Sequence, residues 1–249
     1  MKKRPLLEVC VDSPAGLEAA IAGGADRIEL CSALVLSGLT PSPGLMALAA
    51  EAPVPVYAMI RPRPGDFVYG ARELDAMRRD IDAVRAARLA GVVFGATTET
   101  GALDEAALEG LIRHAEGLGS TLHRAFDLAP DLGAALEAAI GQGFEHVLTS
   151  GGEVTAILGA ERIAGLVAQA AGRIGLMAGS GLNATNVAEI IRLTGVVEVH
   201  ASCSTPLTGA TAPWAEKAAA LGFIDTRLRE TDRESVENLI KSIQILKGD

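Results

Sequence analysis

Three carboxylates in this chain each stand two residues ahead of a thiol or an imidazole: Glu8-Val-Cys10, Glu29-Leu-Cys31 and Glu198-Val-His200. In an extended segment residues two apart share a face, so each pair would present an acid and a soft or basic donor to the same side. Acidic side chains are almost never fully buried unless paired. A free cysteine alone reads as a small apolar filler, so it is the repetition that points to chemistry. A second set of residues is basic. Arg61 and Arg63 lie in Ile60-Arg61-Pro62-Arg63, and Arg124 lies in His123-Arg124-Ala125-Phe126-Asp127, at the end of an apolar run. A guanidinium can grip one carboxylate with two N–H groups and still donate to a second anion. The turns around Ser150-Gly151 and Gly179-Ser180-Gly181 offer backbone N–H groups near a following helix N-terminus, a second means of holding an anion. Together these residues suggest proton transfer by Glu8, Glu29, His123, Asp127 or His200. The anion beside them would be held by Arg61, Arg63, Arg124, Ser150, Gly151, Gly179 and Gly181.

Such groups act together only if the fold gathers them. Short apolar, β-branched runs at 6–12, 27–32, 54–62, 91–97, 120–127, 144–150, 173–181 and 196–202 alternate with segments of helical period. Helix starts are marked by Ser13-Pro14, by Asp104, by Asn183 and, for a last helix over 233–246, by the capping-box spacing Thr231-Asp232-Arg233-Glu234. Eight βα units with right-handed crossovers predict a single-domain α/β fold, the closed (β/α)8 TIM barrel. An open doubly wound sheet is the alternative, weakened by the lack of a G-x-G-x-x-G turn after any strand. Longer connections at 33–43, 63–72 and 204–230 all follow a strand's carboxyl end, the face on which such barrels build their sites. Closure would make strands eight, one and two consecutive neighbours and bring the three Glu-x-Cys/His pairs together. In an ideal strand His123 and Arg124 cannot both point inward, and the sequence leaves open which does.

Bulk composition narrows the partners. The chain has 249 residues with 49% hydrophobic and 3% aromatic content, enough for one sizeable core. A net charge of -9 argues against nucleic acid and anionic membrane as partners. No apolar run approaches the length of a membrane span, and the run after Met1-Lys2-Lys3-Arg4 is broken by Glu8 and Asp12, which spoils a signal peptide. Three cysteines, an odd number, point to reduced thiols and a cytoplasmic location. His114 falls on an expected exposed helix, His146 reads as a core residue of strand six, and Cys203 reads either as a third sulfur ligand or as a bystander.

Taken in order, Glu29-Leu-Cys31, Gly38-Leu-Thr-Pro-Ser42, Ile60-Arg-Pro-Arg63-Pro-Gly-Asp66-Phe67, His123-Arg-Ala-Phe-Asp127, Val147-Leu-Thr-Ser-Gly151, Met177-Ala-Gly179-Ser-Gly181 and Glu198-Val-His200 resemble the copper homeostasis protein CutC family. The match spans nearly the whole chain and is weakest over 204–249. The resemblance implies a cytosolic, homo-oligomeric TIM barrel engaged in copper tolerance or trafficking. It further implies copper(I) held by Cys10 and Cys31, and the chemistry of the residues themselves offers His200 as a further ligand. The residues read without the resemblance favour an enzyme acting on a small phosphorylated or carboxylated metabolite. Both partners, a copper ion and a small-molecule anion, remain open at this stage.

Overall fold

The computed structural model describes residues 4–207, 214–223 and 227–245. Eight parallel strands close into a barrel in the order of the sequence: β1 (Leu6–Val11), β2 (Arg27–Leu30), β3 (Val56–Met59), β4 (Gly91–Phe94), β5 (Gly119–Leu122), β6 (His146–Thr149), β7 (Gly175–Ala178) and β8 (Glu198–Ala201). The ring is sealed by β8 against β1, with Glu8 level with His200. Around it run α1 (Pro14–Gly23), α2 (Pro43–Ala49), α3 (Ala71–Ala86), α4 (Glu105–His114), α5 (Leu132–Gln142), α6 (Ala160–Ala170) and α7 (Val187–Thr194). After β8 come a short strand β9 (Ser204–Pro206), a small helix α8 (Ala215–Ala220) and β10 (Arg229–Thr231), which pairs antiparallel with β9. The closing helix α9 (Arg233–Ile245) packs on α1 and α7. No helix among the described residues is long and apolar enough to cross a membrane.

Strand alternation divides the core in two. Leu7, Val9, Val11, Ile28 and Leu30 face outward and are buried under the helices, where removal of apolar area from water is the main stabilising term. The inward face is unusually polar, with Glu8 0%, Arg27 4% and Glu29 3% exposed. The large inward side chains need space, and glycine on neighbouring staves provides it. A Cβ at Gly91 would come within 2.4 Å of the Tyr57 ring, and one at Gly95 within 2.7 Å of the His123 ring. Substitution at either position would therefore collide with a ring that helps fill the barrel.

Local chemistry explains where the expected boundaries shift. Ser13 and Asp104 cap α1 and α4 as expected, accepting from Gly16 N–H and Ala107 N–H. Asn183 does not cap α7; it closes a turn on Thr185, and the helix begins four residues later, at Val187. Thr231 does not cap α9 either, because its hydroxyl donates to the Ser202 carbonyl while Asp232 accepts from Ser235 N–H. Position 246 lies outside the described residues, as do 208–213 and 224–226 of the long last connection. The fifth strand stops at Leu122 instead of running to 127. His123 caps a 3-10 turn over Arg124–Leu128, its Nδ1 accepting from Ala125 N–H.

Candidate functional site at the barrel mouth

Strand register builds the site in two rows. His200, Glu8 and Arg27 stand side by side on β8, β1 and β2, and one step nearer the mouth Cys10 stands beside Glu29. In the lower row Arg27 donates through Nε to Glu8 Oε2 and through Nη2 to Glu198 Oε2 at 2.7 Å, with its guanidinium 5.2 Å over the Tyr57 ring. His146 joins from β6, its Nδ1 3.2 Å from Glu198 Oε1. His200 Nδ1 donates to Glu8 Oε1 at 2.8 Å, which turns Nε2 toward the upper row, 3.8 Å from Glu29 Oε2. There the donor atoms of Cys10, Glu29 and His200 all lie within 4.8 Å of one another. Glu29 Oε1 is buried with no hydrogen-bond partner. One sulfur, one nitrogen and one carboxylate oxygen thus converge beneath an open cavity of about 610 Å³.

The charges follow from these contacts. Burial alone would raise the Glu8 carboxyl, but the Arg27 charge and the His200 hydrogen bond hold it down at about 2. Glu29 is raised, first because it is buried. Burial works against a charge on His200, yet adjacent Cys10 and Glu29 and the bond to Glu8 keep it protonated well above the usual imidazole range. Cys31 is pushed far up by burial and by neighbouring Glu29, so it is a thiol at neutral pH; its Sγ lies 3.6 Å from Glu29 Oε2.

The expected site residues divide accordingly. Cys10, Glu29 and His200 come together; Glu8 lies behind them as the group that fixes His200. Cys31 does not join them. It belongs to a small cluster with Tyr57, Met59 and Val93, covered by the loop at Gly38, where a Cβ would sit 3.1 Å from its sulfur. His123 and Arg124 both line the cavity, because the strand ends before them and the 3-10 turn breaks the alternation. Arg61 lines it too. Arg63 is turned away: Glu73, Asp66 Oδ1 at 2.9 Å and the Val68 carbonyl at 2.7 Å take up its guanidinium. Asp127 sits at the cavity edge but its oxygens are spent, accepting from Arg124, Thr149 Oγ1, Ser150 N–H and Gly152 N–H. The glycine-rich turn after β6 therefore already cradles an anion, and that anion is Asp127. Ser150 is fully buried in this cradle. Gly151 N–H donates to Thr149 Oγ1 and Gly179 N–H to the Thr149 carbonyl, while Gly181, beside Ser180, lines the cavity.

The comparisons with known proteins bear on this geometry. Residues 5–205 match the model of the CutC family. A CutC family protein of Caulobacter vibrioides is 58% identical over 243 residues, covering 98% of each chain. The chain belongs to the CutC family. A CutC relative from Agrobacterium fabrum is 51% identical over 241 residues, covering 96% of this chain and 94% of its own. The crystal structure of a Streptococcus agalactiae protein named for copper homeostasis, CutC, superimposes with a TM-score of 0.76 at 32% identity, covering 80% of this chain and 98% of that one. The CutC match ends at 205, so β10, α8 and α9 follow the family-matched part.

Sequence reasoning missed Arg27; His146 lies inside the barrel against Tyr57 and Glu198, away from the cavity. The guanidinium that pairs with Glu8 and Glu198 lies one layer below the arginines of the rim. Counting back two residues from Glu29 reaches Arg27 on the same inward face, so the alternation itself carried the signal.

Proposed function

We propose that the protein takes part in copper homeostasis by holding a copper(I) ion as cargo at the base of the barrel mouth. Cys10 supplies the anchoring sulfur, and His200 and Glu29 complete the donor set. The observation that carries this reading is the convergence of the three donors to within 4.8 Å, with one carboxylate oxygen left without a partner. Thiolate and imidazole suit a soft ion, and the Glu8 bond to Nδ1 fixes the ring so that Nε2 becomes the ligating nitrogen when copper displaces its proton to solvent. The copper homeostasis name of the Streptococcus agalactiae protein supports the choice of ion. Cys31 enters as a supporting residue, because it is a buried thiol bonded to Glu29.

All three cysteines are free, which supports a reducing compartment such as the cytoplasm. Self-association, implied by the family resemblance, is to be read by sedimentation equilibrium. The deciding experiment for copper is a competition titration against a chromophoric Cu(I) chelator. Wild type and Cys31→Ser should compete alike, and Cys10→Ser should lose the tight component. Equal competition by Cys10→Ser and wild type would end the reading.

A further inference from the structure

The proposed metal position occupies one side of the cavity and leaves the other unexplained. Across the ring, beyond β3 and β5, Arg61, His123 and Arg124 line the same space. Arg61 is 4% exposed, and every acceptor of its guanidinium among the described residues is a carbonyl: Nη1 donates to Leu36 and Gly38, Nη2 to Gly65. Its Nε has no acceptor. A buried cation without a counter-charge is costly. The chain has 31 carboxylates against 22 lysines and arginines, so a shortage of anions does not explain why Arg61 has none.

His123 repeats the pattern. Burial and the Arg61 charge drive its imidazole down to about 3, so the ring is neutral. Nδ1 accepts from Ala125 N–H, which puts the proton on Nε2, and that buried N–H has no acceptor. Both groups flank Phe67, Arg61 at 4.9 Å and His123 at 4.8 Å from the ring centre. Arg124 stands at the opening, part-exposed, and Arg227 and Arg229 line the cavity farther out. Among the described residues the carboxylates that line the same cavity are Asp12, Glu29 and Asp127, and Asp127 is already enclosed by donors, Arg124 Nε among them.

We propose that this wall is the head-group site for a small organic oxyanion, a carboxylate or a phosphate ester, held by Arg124 and the uncompensated charge of Arg61. The body of the ligand extends over Leu34, Leu128 and Leu148 toward Cys10 and His200. A cavity of about 610 Å³ has the volume of a metabolite site. The inference does not depend on copper binding, and its test uses metal-free protein, so failure of one leaves the other standing.

Inorganic phosphate and malonate are titrated separately into the chelator-treated full chain at constant ionic strength. Thermal unfolding and the nitrogen-edited NMR signals of His123 Nε2 and the arginine Nε groups are followed. At least one oxyanion should raise the midpoint saturably and move the His123 and Arg61 signals. Arg124→Gln should weaken that response about tenfold, the loss of a charge-assisted hydrogen bond. Arg113→Gln, on the exposed face of α4, should leave it unchanged. A response to phosphate alone assigns a phosphate ester head, and one to malonate alone a carboxylate. No saturable response to either, or equal affinity in Arg124→Gln, overturns the proposal. Arg124→Gln also releases Asp127 and Ser150, so Arg124→Lys, which keeps the charge, should retain part of the response that Arg124→Gln loses.

Discussion

Replacing Arg27 by methionine tests whether the polar interior of the barrel is held by this one cation. Its side chain is 5% exposed and pairs with Glu8 at 0% and Glu198 at 13%. The charges are therefore screened by protein, not by water, and their removal cannot be repaired by solvent. Breaking a buried pair by deleting one partner costs about 3–5 kcal/mol, since the remaining charge stays in a low-dielectric site. Methionine keeps most of the volume over Tyr57, so a cavity contribution stays small. Two carboxylates lose their guanidinium here, but Glu8 keeps His200 and Glu198 keeps His146, so the expected loss stays within that range. For a chain of this length, the loss corresponds to a midpoint lowered by roughly 6–20 °C. Differential scanning calorimetry and urea unfolding at pH 7 give the two measurements. A triple variant, Arg27→Met with Glu8→Gln and Glu198→Gln, should recover part of the loss because neither buried carboxylate is left facing the missing guanidinium. A loss below about 1 kcal/mol for Arg27→Met would refute the reasoning.

Further outcomes follow from the same contacts. His123 is held neutral down to about 3 whereas an ordinary imidazole takes a proton near 6.5, so between these values the unfolded chain binds the extra proton and stability falls with acidification. Urea midpoints of His123→Asn should flatten that fall by about 2 kcal/mol between pH 6.5 and pH 5, and identical slopes in both proteins would contradict it. Gly91→Ala should lower the melting midpoint, since its new methyl meets the Tyr57 ring at 2.4 Å and the Gly119 carbonyl at 2.7 Å; overpacking of this kind costs about 1–3 kcal/mol. With a thiol reagent on native protein, Cys10 in the cavity wall should be modified first. Cys31 is a buried thiol, and Cys203 is pushed up to about 12 by burial, so both should wait for denaturant, as mass mapping of labelled peptides would show.

How far the sequence reached depended on which interactions are local. The eight strands and their order were legible because each is a short apolar run with its own punctuation, and evenly spaced βα units have one closed solution. Closure in turn made the three Glu-x-Cys/His pairs neighbours, as their spacing suggested. What the spacing could not convey is register. Cys10 lies level with Glu29, not with Cys31, so the group that converges is Cys10, Glu29 and His200. Competition between groups far apart in sequence was equally hidden. The turn at Ser150-Gly151-Gly152 has the form of an external anion cradle, but Asp127 arrives from the preceding βα unit and fills it. Arg63 likewise lost its place to Glu73, a residue of the following helix. Arg61, two residues earlier, donates only to carbonyls among the described residues, and that difference between two arginines of one motif arises from loops that the motif itself does not contain.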